Sequence, residues 1–160
     1  MTQSPQSPFD NYVAQDLLRS EHPYQAVTSP VLKYNRVEQN ITTSWWGVTA
    51  PFDMETETFW HDFDQYLFFA GGDATDMNSL GGVVEFYLGE ELENMKKYVI
   101  TKPTMIYVKP GMLHCPLRFV KVDDPTKPIF FQDLTLAGVY RRFRPGSNQP
   151  LNAQNQPITL

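Results

Sequence analysis

The residues best suited to metal chemistry are two histidines that lie far apart in the chain. His61 and His114 each follow an apolar stretch, and each adjoins a turn or an acidic segment. Neutral imidazole nitrogen is a common ligand of first-row transition metals. If separate strands bring the two rings together, they form a natural metal site. The third histidine of the chain, His22, precedes Pro23 near the N-terminus and is interpreted as an exposed loop residue.

A carboxylate for the same site is available in a nearby apolar segment. Glu85 lies in the otherwise apolar run 83–88, where burial of an unpaired carboxylate would be costly. Strand alternation places Val83, Glu85 and Tyr87 on one face. If that face lines the interior, Glu85 completes a set of two histidines and one carboxylate, which leaves metal positions open for a substrate or dioxygen. The alternative is a half-exposed strand that points Glu85 at water.

The elements that must position these side chains are predicted to be strands. Phe, Tyr and Trp make up 14% of the sequence, and flat aromatic rings pack well on a pleated sheet. Short apolar runs alternate with turn-forming Gly, Pro and Asp. Many short strands interrupted in this way indicate a β-sandwich or a barrel. The predicted strands are 31–37, 42–49, 56–61, 65–70, 83–88, 98–101, 104–108, 116–122, 129–134 and 136–141.

Two terminal segments flank the predicted barrel, which spans residues 31–144. Residues 1–30 are predicted to form an N-terminal arm with a short helix whose first turn is capped by Asp10. Residues 145–160 contain Pro, Asn and Gln and few large apolar side chains. We therefore predict a flexible C-terminal tail, or a segment that becomes ordered by docking on a neighbouring subunit.

Two short motifs in the chain resemble those of the cupin superfamily. The first cupin motif runs His-x-His, three or four residues, Glu, six residues and Gly, and the second contains Pro-x-Gly-x-x-His. His61, Gln65 and Gly72 have the spacing of the second histidine, the glutamate and the glycine of the first motif. Gly111 and His114 have the spacing of Gly-x-x-His in the second motif.

The resemblance runs from Phe59 to about Phe131 and is strongest to small bacterial cupins of undefined function. It implies an all-β chain with a single cupin-type β-barrel, also called a double-stranded β-helix or jelly roll. It also implies one divalent transition metal ion, Fe, Mn, Ni or Zn, in the mouth of the barrel. Phe59 occupies the place of the first histidine of the first motif. The metal ligands expected for this chain are His61, Gln65, Glu85 and His114.

Gln65 occupies the position of the cupin glutamate and has two interpretations. It either binds the metal directly or hydrogen-bonds a ligating imidazole without touching the metal. Gln65 and Glu85 are also the candidate catalytic residues, because both could act on protons of a bound molecule. For the histidines, the alternative is a structural role in hydrogen bonds to the backbone or, for His61, a place on the surface beside acidic residues.

Composition excludes several other classes of protein. The formal net charge of -5 argues against a nucleic-acid partner. The sequence has no run of about 18 apolar residues, so no membrane span is expected. The N-terminus has neither the basic start nor the apolar stretch of a signal peptide. Cys115 is the single cysteine, which excludes an intrachain disulfide. We predict a cytoplasmic protein that forms a homodimer, in which the N-terminal arm adds a strand to the sheet of its partner.

Three functions are compatible with these features. The first is a metalloenzyme that acts on a small organic molecule, of the dioxygenase, decarboxylase, isomerase or lyase type found among cupins. The second is a small-molecule binding or sensing module in which the metal organises a pocket without turnover. The third is a metal-free barrel kept for assembly or storage, in which both histidines are structural. The fold alone does not choose between them.

Overall fold

Two antiparallel sheets account for most of the regular structure in the computed structural model, which describes residues 8–9, 12–15, 17–20, 24–28 and 31–159. The first sheet has six strands in the order β1-β2-β3-β10-β5-β8, and the second has four in the order β4-β9-β6-β7. The strands are β1 Leu18–Ser20, β2 Val31–Arg36, β3 Ile41–Val48, β4 Phe52–Glu55, β5 Gln65–Gly71, β6 Gly82–Gly89, β7 Lys96–Ile100, β8 Thr104–Val108, β9 Leu113–Val122 and β10 Ile129–Thr135.

The core lies between the inner faces of the two sheets. In β5 and β9, buried and more exposed residues alternate, as expected for strands with one face in the core. Phe69 from the first sheet lies near Phe119 from the second, with ring centroids 6.3 Å apart. Val84 and Phe86 of β6 and Ile129 of β10 are fully buried in the same cluster. The predicted all-β architecture is confirmed.

The predicted N-terminal helix is not found in the described part of the arm. None of the described residues between 8 and 28 belongs to an α-helix, and Asp10, the expected cap, lies outside the described residues. Residues 18–20 instead form β1, which pairs antiparallel with β2. In this pairing, β2 supplies hydrogen-bond partners for the backbone N–H and C=O groups of residues 18–20. A short isolated helix would have to satisfy its backbone groups internally.

Two predicted strands are irregular. Residues 56–61 contain isolated bridges instead of a continuous strand, so His61 lies in a loop segment beyond β4. Residues 136–141 form a bent connection, which includes Gly138. A Cβ at Gly138 would lie 2.6 Å from the Cα of Val37, so the backbone of this connection passes too close to its neighbour for most side chains.

The C-terminal segment folds back on the molecule. Arg142 and Leu151 form an isolated antiparallel bridge, with backbone N–H···O distances of 2.9 and 2.8 Å. Leu151 is buried and also pairs with Pro157. The segment that the sequence predicts to be flexible, or ordered by docking on a neighbour, therefore makes these contacts within its own chain.

Candidate metal centre

The backbone brings the two predicted histidines together by pairing their segments. The N–H of His114 donates to the carbonyl of Phe59 at 2.9 Å, and the N–H of Phe59 donates back to His114 at 3.2 Å. The N–H of Gly111 donates to the carbonyl of His61 at 2.7 Å, and Gly111 has φ of 81°, which glycine adopts without strain. As a result, the ring centroids of His61 and His114 lie 4.9 Å apart.

Hydrogen bonds to the backbone fix the tautomer of both rings. Nδ1 of His61 lies 2.6 Å from the carbonyl oxygen of Arg141, and Nδ1 of His114 lies 3.0 Å from that of Met112. A carbonyl oxygen only accepts hydrogen bonds, so Nδ1 carries the proton in each neutral ring. The lone pair is therefore on Nε2. Within the described residues, Nε2 of both histidines is buried and has no hydrogen-bond partner.

Burial keeps both imidazoles neutral. His61 and His114 are 0% and 1% exposed. Desolvation lowers the pKa of His114 to about 4. It also lowers the pKa of His61 well below the usual value, and the neighbouring His114 adds to this effect. A neutral ring with a free Nε2 lone pair is the form that binds a metal ion.

Gln65 contributes a third free acceptor atom. It is the first residue of β5 and is 4% exposed. Its Nε2 donates to Oδ1 of Asp133 at 3.0 Å, which fixes the orientation of the amide group. Its Oε1 is buried without a hydrogen-bond partner among the described residues, as are the Nε2 atoms of His61 and His114. Three buried acceptors without donors are costly unless something absent from the chain binds them.

The structure does not bring Glu85 to the histidines, which corrects its predicted interior position. The fully buried residues of β6 are Val84 and Phe86, so strand alternation turns Glu85 to the opposite face. There its carboxylate pairs with Lys97 of β7, with 2.5 Å between Oε1 and Nζ. The alternative interpretation of Glu85 as an outward-facing carboxylate matches this geometry. The apolar run alone did not indicate which of its two faces is buried.

Asp133 is a half-buried carboxyl group that the sequence did not single out. It lies on β10 and is the Cα partner of Ser44 in β3 and of Leu67 in β5. Burial raises the pKa of Asp133 to about 6, against the opposing effect of the Gln65 hydrogen bond. The signal in the sequence was an acidic residue inside the predicted strand 129–134, where a carboxylate needs a specific partner.

A buried ion pair beside the histidines was also missed. Nη1 of Arg142 lies 3.0 Å from Oε2 of Glu55, and Nη2 donates to the carbonyl of Ala153 at 2.8 Å. The guanidinium carbon lies 4.8 Å from the ring centroid of Phe59. Arg142 is 4% exposed. The pair therefore links β4, the bridged segment after residue 141 and the C-terminal segment. Its residues are distant in sequence, so no local pattern identified it.

A cavity of about 680 Å³ opens beside His114 and Gln65. Its wall combines aromatic and aliphatic side chains with a few polar groups, as is usual for small-molecule sites. His61 is not part of the lining, so that ring lies behind His114 as seen from the cavity. The polar groups of the lining include Lys33, Ser44, Gln65, His114, Asp133 and Asn152.

Comparison with solved structures places this architecture among known proteins. Lactobacillus farciminis oxalate decarboxylase in a formate complex matches with a TM-score of 0.52 and 13% identity, over 81% of this chain and 33% of that one. A deletion mutant of Bacillus subtilis oxalate decarboxylase matches with a TM-score of 0.52 and 10% identity, over 81% and 30%. Vicilin from Corylus avellana matches with a TM-score of 0.50 and 10% identity, over 88% and 36%. All are cupin-fold proteins.

The chain has the fold of the cupin superfamily. No protein-family model and no curated protein sequence matches it. The chain spans about a third of the length of the solved structures named above. At these identities, the likeness concerns the fold alone. The described residues contain no helix that is both long enough and apolar enough to cross a membrane.

At Phe59 the chain departs from the first cupin motif, and the structure shows what this residue does instead. Phe59, at the place of the first histidine, packs against both imidazoles, with centroid distances of 5.3 Å to His61 and 4.6 Å to His114. It therefore shields the pair instead of adding a ligand. The described residues contain no group of three or more His, Cys, Asp or Glu side chains able to hold a metal.

The remaining donor atoms of the candidate site nevertheless fit a metal ion. Nε2 of His61, Nε2 of His114 and Oε1 of Gln65 are buried acceptors without partners in the described structure. Imidazole nitrogen suits first-row transition metals, and an amide oxygen is a neutral additional donor. The hydrogen bonds that hold both Nδ1–H groups and the Gln65 amide are of the kind that orient metal ligands. A metal in this set would have no anionic protein ligand and would keep coordination positions open.

Proposed function

We propose that this chain binds one divalent transition metal ion through His61, His114 and Gln65 and acts as a metalloenzyme on a small organic molecule. The observation that carries the proposal is the set of three buried acceptor atoms without partners among the described residues. Three such atoms would destabilise an ordinary core. A bound metal ion removes this penalty and gives the neighbouring cavity a reactive group.

The chain's own groups support chemistry in that cavity. A bound metal ion would supply a Lewis acid that polarises a carbonyl or carboxylate oxygen. Asp133 lines the same cavity, and its pKa of about 6 suits the exchange of a proton with a bound molecule near neutral pH. The Gln65 amide holds Oδ1 of this carboxyl group and so fixes its direction. Phe59 and the aliphatic wall exclude water from the histidines.

The second candidate is a binding or sensing cupin without turnover. The neutral donor set favours it, because oriented ligands can hold a small molecule without any proton transfer. The two candidates differ in one measurable respect. Loss of a candidate organic acid or carbonyl compound, or oxygen uptake, in the presence of metal-loaded protein supports the enzyme. Stoichiometric binding of the same compounds without any product supports the binding module.

The metal site is tested by elemental analysis of purified variants. We expect His61→Ala and His114→Ala each to abolish stoichiometric metal, because each removes an imidazole donor. His22→Ala, which removes the histidine outside the described residues, should retain it. Glu85→Gln should also retain it, since that carboxylate pairs with Lys97 on the outer face. Each variant is checked by circular dichroism, so that loss of metal is separated from loss of fold. Equal metal content in all four variants would refute the assignment.

We also propose that two copies associate through the outer face of the six-stranded sheet. Alternation places only uncharged residues on this face of β3, β10, β5 and β8. Several are large and exposed, including Trp45, Phe68, Met105 and Phe130. Two copies of a chain with net charge -5 repel each other, and an uncharged contact surface adds no further like-charge repulsion at the interface. The outer face is such a surface, and a second copy supplies an equally uncharged partner.

A further inference from the structure

One lysine that lines the cavity has no partner among the residues that the structure describes. Lys33 lies on β2 and lines the cavity together with His114 and Gln65. Its side chain makes no ion pair or hydrogen bond with any residue that the structure describes. The other cations near the cavity differ, because Arg142 is bound to Glu55 at 3.0 Å and Arg141 to Asp62 at 2.8 Å. Lys33 is therefore available for a ligand.

Ser44 provides a second free donor next to this lysine. The two residues are Cα partners in the antiparallel pair of β2 and β3, so their side chains are neighbours on one face. Oγ of Ser44 accepts a hydrogen bond from Nε1 of Trp46 at 2.8 Å. Its own hydroxyl hydrogen has no acceptor among the described residues. An ammonium group and a hydroxyl donor side by side match the two oxygens of a carboxylate.

The acidic groups of the cavity do not compete for these donors. Glu55 is engaged by Arg142, and Oδ1 of Asp133 accepts from Gln65 at 3.0 Å. Of the residues that β2 and β3 contribute to the lining of the cavity, only Lys33 is charged.

One row of paired residues across the first sheet connects the end of the cavity formed by β2 and β3 with the end that contains Gln65. Ser44 of β3 is the partner of Asp133 in β10, which is the partner of Leu67 in β5. Gln65 lies two residues before Leu67 on the same face. Neighbouring strands are about 4.8 Å apart, so Ser44 stands about 10 Å across the sheet from the strand that carries Gln65. A short molecule can touch both ends.

We propose that Lys33 and Ser44 anchor a carboxylate of the ligand, and that the cavity takes short organic acids whose other polar end points to His114 and Gln65. The inference rests on the proposed function for the use of the cavity as a ligand site. The anchor itself consists of groups on β2 and β3 and needs no metal.

The test compares acids with their uncharged amides by isothermal titration calorimetry. The probes are the diacids malonate, succinate and glutarate and the three corresponding diamides. We expect at least one acid to bind and its diamide to bind about tenfold or more weakly, since a charged hydrogen-bonding group is lost. Lys33→Met should lower the affinity for the acid to the affinity measured for its diamide. Lys33→Arg should keep most of the affinity.

The control is Lys102→Met, which removes an exposed lysine outside the cavity and should leave binding unchanged. Metal content is measured on the same samples, which separates the two proposals. Acid binding that depends on Lys33 in a protein without metal supports the anchor and contradicts the metal site. Metal-loaded protein that binds acids and diamides equally, binds none of the six probes, or is unaffected by Lys33→Met overturns the anchor.

Discussion

At the scale of single residues, the centre of this protein is defined by atoms that lack partners. Within the described part of the chain, both histidines use Nδ1 for a backbone carbonyl and leave Nε2 free, and Gln65 uses its amide nitrogen for Asp133 and leaves Oε1 free. A purely structural histidine would normally satisfy both ring nitrogens or expose one to water. The same pattern at these three residues favours a donor set, as we propose, over ordinary core packing.

The buried imidazole of His114 makes a prediction for the pH dependence of stability in metal-free protein. The fold lowers its pKa from 6.5 to about 4. Below about pH 6.5 the unfolded chain binds a proton there that the folded chain does not bind, so stability is lost as the pH falls. We expect His114→Phe to remove about 3 kcal/mol of this loss between pH 7 and pH 4.

The measurement is urea unfolding of chelator-treated wild type and His114→Phe at several pH values. Asp133 has a raised pKa, which acts in the opposite direction, but it is present in both proteins and cancels to first order. His22→Ala, the control, should follow the wild-type curve. If the free energy of unfolding changed with pH equally in wild type and in His114→Phe, this imidazole would not be buried in solution.

The ion pair of Arg142 with Glu55 makes a second prediction at this scale. Replacing Arg142 by Met leaves a mostly buried carboxylate without its partner and removes the bond to the carbonyl of Ala153. We expect the free energy of unfolding to fall by about 3 kcal/mol. Arg36→Met, which breaks the exposed pair with Glu38, should change it by less than about 1 kcal/mol. Similar values from urea titration of both variants would contradict the buried role of Arg142.

At the scale of elements, the site depends on segments that are not regular strands. His61 lies beyond β4 in a stretch held by two isolated bridges, Phe59 to His114 and Trp60 to Phe143. The rings of Trp60 and Phe143 stack with centroids 4.2 Å apart, which adds packing to the backbone pairing. The proposed metal centre therefore joins one loop segment, the start of β9 and the start of β5.

The C-terminal segment closes one side of the cavity, and its attachment to the rest of the chain can be tested. Residues 152–154 line the cavity, and the segment is held by the Arg142–Leu151 bridge and by the buried side chain of Leu151. We expect Leu151→Ala to lower the free energy of local opening of this segment by about 2 kcal/mol or more, because the substitution truncates a buried leucine. Hydrogen exchange at the amides of Arg142 and Leu151 should accelerate.

The internal control for this experiment is the amide set of β10, which lies between β3 and β5 and should keep its protection. Uniform acceleration over the whole chain would indicate global destabilisation. Unchanged exchange at Arg142 and Leu151 would show that the segment does not depend on the buried leucine.

At the scale of the whole molecule, the two sheets use their outer faces differently. The outer face of the six-stranded sheet is uncharged across its central strands, whereas that of the four-stranded sheet carries the Glu85–Lys97 and Asp53–Arg118 pairs. Charged and paired side chains keep the second surface hydrated. A large apolar surface such as the first commonly marks an association site.

The proposed dimer is tested by sedimentation velocity. Phe130 is 52% exposed at the centre of the uncharged face, and we expect Phe130→Glu to convert dimer into monomer because it places a charge against its symmetry-related copy. Val99→Glu is the matched control, since Val99 is 59% exposed on the second sheet. A monomeric wild type, or a dimer that persists in Phe130→Glu, would contradict this interface.

The sequence by itself determined the β class, the cupin resemblance and the identity of the histidines, because strand periodicity and motif spacing are local properties. The proximity of His61 and His114 follows from that resemblance, and the structure brings their rings to 4.9 Å. The face of β6 that is buried was decided only by the tertiary structure, which turned Glu85 outward, because an apolar run does not indicate its own register. The partners of Asp133 and Arg142 were likewise decided by the tertiary structure, because Gln65 and Glu55 are distant from them in the sequence.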